Sequence, residues 1–226
     1  MLFRSVFPRL PYNPDKDFQA VVQVAFTPNL LAVTLSLPVK SVQELIDHAR
    51  KNPDKLLFAS GGSGTSHHVS GELFKLMTGT QMVHVPFKSG NLAIPDLTAG
   101  RVHLMFDSIN TMGTHVKAGR LRGLAVTSPK RVPAYSELPT VAESGVAGFE
   151  VVAWGGPIAP AAVPKAIVSR LNAEFNKALA LPAIKEKYYA LGQEIVGGTP
   201  EQFADYIQKE SAKWADVVKR AGIKVD

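Results

Sequence analysis

The chain has 226 residues, 46% of them hydrophobic and 8% aromatic, with no cysteine and a net charge of +6 at neutral pH. That is enough length and apolar content for a sizeable core, which excludes a disordered chain, and no apolar run reaches the ~20 residues of a membrane-spanning helix. The missing thiols exclude thiol catalysis, thiolate metal sites and disulfides, and the scattered basic residues never form the dense patch a nucleic-acid surface needs.

Residues 1–20 read as irregular, with Pro8, Pro11 and Pro14 spread through them. Val6–Pro8 is too short for the apolar core of a secretion leader, and no small-residue cleavage site follows it. Strand-like runs extend from Phe18 to Phe26 and from Leu30 to Leu37, and Thr27-Pro28-Asn29 between them reads as a proline turn. Ser41-Val42-Gln43-Glu44 is a capping box opening a helix with Val42, Leu45, Ile46 and Ala49 on one face, which stops before Pro53.

Leu56-Leu57-Phe58-Ala59 is a short buried strand that runs into Ser60-Gly61-Gly62-Ser63-Gly64-Thr65-Ser66-His67-His68. After this loop Val69, Leu73, Leu76 and Met77 recur at helical spacing. Strand, glycine-rich loop and helix N-terminus concentrate backbone N–H groups without helical partners. Thr65 or Ser66 can cap the helix and leave neighbouring amides for a carboxylate or phosphate. The same residues also suit a plain strand-to-helix turn, because the full dinucleotide and P-loop patterns are absent.

Gly79 stops that helix, and Met82–Phe87 is the next strand. Lys88-Ser89-Gly90-Asn91 is a second polar loop, leading to a helix from Leu92 to Ala99 with Pro95 in its first turn. Val102–Phe106 then delivers Asp107 to a strand's carboxyl end, where open α/β sheets bind ligands. Asp107 suits either a ligand's hydroxyl or amine, or the cap of the next helix; Lys88 is a cation for a carboxylate or a solvated loop lysine. A helix over Met112–Lys117 and a strand over Leu121–Val126 complete a run of parallel-type units.

Thr140-Val141-Ala142-Glu143 is a capping box on a brief helix ended by Gly145, and Phe149–Trp154 is a further strand. Trp154-Gly155-Gly156-Pro157 is stiff and apolar, suited to a crossing between domains. From Pro164 onward the pattern is helical apart from Glu194-Ile195-Val196. Pro164 fits the first position of a helix that buries Ile167, Val168, Leu171, Phe175 and Leu179, and Thr199-Pro200-Glu201-Gln202 opens the last helix, which carries Phe203, Ile207, Trp214, Val217 and Val218.

His67 and His68 beside Glu72 suggest a metal pair, but no third ligand stands in register, so no metal or cofactor site is predicted and His68 reads as orienting the loop. His48, His84, His103 and His115 read as lone surface or core-edge histidines. A serine hydrolase would need Ser60, Ser63 or Ser66 joined to a base. Thr65 occupies the second glycine position of the nucleophile elbow, and no spacing links a histidine to an acid, so the chain reads as a non-enzyme.

Leu56–His68, His84-Val-Pro-Phe-Lys88, Leu104-Met-Phe-Asp107, Leu124-Ala-Val-Thr-Ser128, Leu138–Gly145 and Ile158-Ala-Pro160, in this order, resemble the Bug proteins, the TctC-like solute receptors of tripartite tricarboxylate transporters. The likeness runs from about Leu10 to the C-terminus. It implies a type II periplasmic-binding-protein-like α/β fold. Residues 30–153 would form one complete α/β domain, and residues 1–29 and 154–226 would be the partial remainder of a second domain with the hinge strands.

The resemblance further implies a small carboxylate as ligand and the membrane permease subunits as partners. The ligand-binding residues it implies are Ser60, Gly61, Gly62, Gly64, Thr65, Ser66 and Asp107, with Lys88 and His68 as further candidates. Family members begin with a secretion signal and a first strand whose loop forms the opposite jaw. This sequence enters after that point, so it reads as N-terminally truncated, impaired in binding, and cytoplasmic if the product is complete, where the family is periplasmic. A second reading is a fragment that self-associates through exposed surface of the partial domain. Phe87-Lys88-Ser89-Gly90, Pro95 and Pro157 depart from the family pattern.

Overall fold

The structure is a computed structural model that describes residues 11–223; the opening stretch up to Leu10 and the last three residues lie outside it. In chain order come β1 (Phe18–Ala20), β2 (Gln23–Val33), α1 (Val42–Lys51), β3 (Leu57–Ser60), α2 (Ser66–Thr78) and β4 (Val83–Pro86). Next are α3 (Gly90–Thr98), β5 (Leu104–Ser108), α4 (Ile109–Lys117) and β6 (Arg122–Val126). The chain ends with β7 (Val152–Gly155), β8 (Ile158–Pro160), α5 (Lys165–Ala180), α6 (Pro182–Ala190), β9 (Glu194–Gly197) and α7 (Pro200–Ala221). The described residues divide into a larger unit, 28–153 with 220–223, and a smaller one, 11–27 with 154–219.

The larger unit is built on a sheet of order β4-β3-β5-β2-β6. β3 runs parallel to β4 and β5, whereas β2 lies antiparallel between β5 and β6. The run of parallel units expected from the sequence is therefore interrupted by the strand that enters first. β5 alternates by strand period: Met105 joins Leu30, Leu97, Ile109 and Met112 in one buried cluster, while Phe106 packs with Phe74 and Phe149 at ring distances of 5.7 and 6.1 Å.

Several local expectations are corrected. The two strands about Pro28 are one strand, β2. Pro28 falls between the stretch paired with β9, Gln23–Phe26, and the stretch paired with β5, Asn29–Val33, where its missing N–H interrupts neither ladder. α3 starts at Gly90, so Pro95 lies in the helix interior and not in the first turn, and the Asn91 carbonyl has no amide donor from residue 95. Thr140 and Glu143 do form the reciprocal capping bonds, at 3.0 and 2.9 Å, yet only turns follow, because Gly145 and Gly148 take positive φ. On α2 the buried face is Val69, Phe74 and small Ser70 and Gly71, and Met77 is exposed; on α5 only Val168 and Leu179 are buried, with Ile167 and Leu171 exposed.

In the smaller unit β1 pairs antiparallel with β8, and β9 pairs with Gln23–Phe26 of β2. Glu210 on α7 is buried there and accepts from both tryptophan indoles, Trp154 at 3.3 Å and Trp214 at 2.8 Å. Trp154 also meets Phe203 and Tyr206 edge-on, so its role here is packing. Among the described residues no helix is long and apolar enough to cross a membrane.

Candidate functional site

Three strand-to-helix junctions share one edge of the larger unit's sheet. β3 runs parallel to β4 and β5, and each of the three is followed by a helix, so the starts of α2, α3 and α4 gather where Ser60, Pro86 and Ser108 end their strands. The register pairs Ser60 with Pro86 and Ala59 with Met105, which brings Asp107 level with Gly61. A Cβ on Gly61 would meet the Gly90 nitrogen at 2.8 Å, and one on Gly90 would meet Asp107 Oδ2 at 2.5 Å. Only glycine permits these approaches.

The loop is held mainly by its own histidines. Gly61 N–H donates to His67 Nδ1 at 3.2 Å, and Gly64 N–H donates to His68 Nδ1 at 3.1 Å. Gly62 N–H donates to Ser60 Oγ, and Thr65 Oγ1 donates to Gly62 O at 2.7 Å while capping α2 through His68 N–H. Gly62 and Gly64 adopt φ of 121° and 78°, which bend the loop back onto α2. Three of the predicted ligand amides, Gly61, Gly62 and Gly64, are thus engaged inside the protein. The amides of Ser63, Ser66 and His67 take no hydrogen bond among the described residues.

Asp107 is 2% exposed. Its Oδ1 accepts from His67 Nε2 at 2.9 Å and from Ser108 N–H at 2.6 Å, whereas Oδ2 has no partner among the described residues. Since His67 Nδ1 is an acceptor, its proton sits on Nε2, and the ring bridges Gly61 to Asp107. Ser108, not Asp107, caps α4. Asn29, paired with Ser108 across the β2–β5 ladder and 1% exposed, donates Nδ2 to Ser70 Oγ and keeps an unpaired Oδ1.

Behind the loop, His68 and His84 stack at 3.8 Å and 7°, and Phe58 lies 4.9 Å from the His84 ring. Burial, reinforced by Lys75, lowers His68 to a pKa of about 4, and burial with His68 and Lys75 does the same to His84. Both rings are therefore neutral at pH 7. Ser60 Oγ lies 2.7 Å from His84 Nε2, but Ser60 is 0% exposed. Lys75 is paired with Glu72 at 2.9 Å, and Lys88 is exposed on the loop after β4. Any pull on an anion at this edge therefore comes from amides and helix termini and not from a buried cation.

The structure brings Ser60 to Ser66, His68 and Asp107 together and leaves Lys88 on the surface. It also brings in three residues the sequence reading left aside: His67, His84 and Asn29. His84 alternates with Val83 and Val85 in a strand, a pattern that places it on one face but names no partner. Asn29 was hidden by the apparent turn. Among the described residues no group of three or more His, Cys, Asp or Glu side chains is placed to hold a metal ion.

Residues 3–223 match the model of the tripartite tricarboxylate transporter family receptor. The chain belongs to this family. A Pseudomonas sp. (strain P51) protein, encoded in the tcbD-tcbE intergenic region, is 41% identical over 216 residues, which is 95% of this chain and 64% of that relative. The chain thus spans less than two thirds of that relative's length. Among solved receptors, an R. palustris protein with adipate superposes with a TM-score of 0.87 at 41% identity, covering 97% of this chain and 73% of its own. MatC from Rhodopseudomonas palustris, with bound malate, gives 0.81 at 30% identity, covering 96% of this chain and 75% of its own. The α/β fold is that of these receptors, as the sequence resemblance implies.

Proposed function

We propose that this chain is a non-enzymatic receptor segment for a small carboxylate and that the carboxylate sits against the α2 start. The observation that carries this reading is the set of unengaged amides at Ser63, Ser66 and His67, at an edge where three helices begin. Adipate and malate in two solved relatives supply the ligand class. Gly61, Gly62 and Gly64 shape the loop, Thr65 caps α2, and Ser60, His68 and His84 support it from behind. Asp107 and Asn29 keep acceptors for a ligand hydroxyl, and exposed Lys88 adds general attraction. An acylating serine is not supported, because Ser60 is fully buried and a base with a pKa of about 4 is mostly deprotonated but weak at pH 7.

In the assembled receptor the ligand would pass to membrane permease subunits on the periplasmic side. Three unengaged amides are few contacts for a small hydrated acid, so binding is weak, with dissociation constants on the order of 1 mM. Saturation-transfer NMR with adipate and with malate tests this. Ser66→Pro removes one unengaged amide at the first helical position, where proline fits and Thr65 already has the extended backbone that precedes a proline. The expected result is a signal for dicarboxylates that drops about tenfold in Ser66→Pro at unchanged helicity, the loss of one charge-assisted hydrogen bond. No signal from either acid, or equal binding by the variant, would sink the reading.

A further inference from the structure

Amides at a glycine loop and a helix start hold a phosphate as readily as a carboxylate, so the loop from Ser60 to Ser66 does not choose between them by its own composition. The difference lies in a charge that the protein keeps inside. Asp107 is buried where three helices begin. Ser108 N–H, at the cap of α4, and His67, in the first turn of α2, both donate to its Oδ1. Its Oδ2 lies against Gly90, the first residue of α3, where a Cβ would come within 2.5 Å of it.

The α3 start is otherwise bare. Ser89 makes no side-chain cap, and the Gly90 and Asn91 amides take no hydrogen bond among the described residues. A buried carboxylate oxygen without a hydrogen-bond partner, set against an uncapped helix start, is held by the partial positive charge of that start. Among the described residues no lysine or arginine pairs with Asp107, so its charge stays in the site. The field extends along α4: burial and Arg120 lower the His115 pKa, and Asp107 opposes them.

We propose that Asp107 is a specificity-determining residue of this edge. Its carboxylate occupies the α3 and α4 starts as a built-in anion and leaves the α2 start for a single negative charge, which selects a carboxylate end over the doubly charged end of a phosphate or phosphonate. Repulsion grows with the product of the charges, so the second charge of a phosphate doubles the cost and finds no further free helix start. A neutral hydroxyl can still donate beside Asp107, and the far carboxylate of a chain such as adipate escapes most of the repulsion by distance. The inference rests on the anion site at α2 proposed above.

Methanesulfonate and methylphosphonate in alkaline buffer share a tetrahedral shape and a methyl signal and differ by one charge; propionate is the carboxylate reference. Saturation-transfer NMR at low salt gives the dissociation constants for the unaltered chain and for Asp107→Asn, whose amide keeps an oxygen for His67 and Ser108, with circular dichroism to check its fold. In the unaltered chain methylphosphonate should bind no more tightly than methanesulfonate. In Asp107→Asn both should bind more tightly, methanesulfonate by about fivefold and methylphosphonate by the square of that gain, about 25-fold, and added salt should shrink both gains. Equal gains for the two anions, no gain, or tighter binding of methylphosphonate by the unaltered chain would each overturn the proposal, while propionate binding would keep the carboxylate site in place. Silence of all three ligands with both proteins would bring down the carboxylate site and this proposal together. If Asp107→Asn does not fold, the order of the two tetrahedral anions in the unaltered chain still decides.

Discussion

His67 shows how one side chain can fix the shape of a loop. Its Nδ1 takes the Gly61 amide and its Nε2–H holds Asp107, so β3's loop and β5's end move as one piece. His68 does the same for Gly64, and its ring is buried against His84. The pair makes the loop sensitive to acid. Both rings titrate near 4 when folded, below the ordinary 6.5, because burial disfavours their charged forms. Between pH 6.5 and 4 the unfolded chain therefore binds more protons than the folded one, and stability falls as pH is lowered through this window. Above 6.5 and below 4 the two rings add no slope. Urea midpoints measured from pH 8 to 4 should hold level to about 6.5 and then decline, and His68→Gln with His84→Gln should flatten the decline. An unchanged slope in the double variant would refute the assignment.

At the scale of elements, spacing and caps were legible wherever one local interaction decides the outcome. Ser41 accepts from Glu44 N–H at 3.1 Å, and the Thr199 and Gln202 N–H groups donate to each other's side-chain oxygens, at 2.8 and 3.2 Å. The failures came where distant pairing overrides local preference. Pro28 looks like a turn until β9 and β5 engage the stretches on either side of it. The apolar period of α2 pointed to Met77, but the helix lies so close to β3 that its contact residue is Gly71. A methyl there would fall within the Phe58 ring, which is 0% exposed and cannot withdraw. Gly71→Ala should therefore destabilise the chain by about 1–3 kcal/mol despite alanine's better helix propensity, as read by urea denaturation. A stabilised variant would show that α2 and β3 have room to separate.

Taken as a whole, the molecule divides its apolar material unevenly. The larger unit buries Leu30, Phe58, Leu97, Met105 and Phe106 in and around its sheet, while the smaller buries a shorter set that includes Val21, Val22, Val168, Phe203, Ile207 and Trp214. Native-state hydrogen exchange should accordingly be slowest in β3 and β5 and faster throughout α5 and α6, since opening energy follows buried contact. Equal protection in the two units would contradict this ranking. The order of motifs along the chain was sufficient by itself to establish the family and its α/β class, and local chemistry placed the glycine loop at a helix start. Only the tertiary structure decided which amides remain unengaged, that His67 and not a cation links the loop to Asp107, and that β2 passes through Pro28. Those outcomes depend on which strands become neighbours, and a pairing between residues far apart in sequence leaves no periodic trace in either partner.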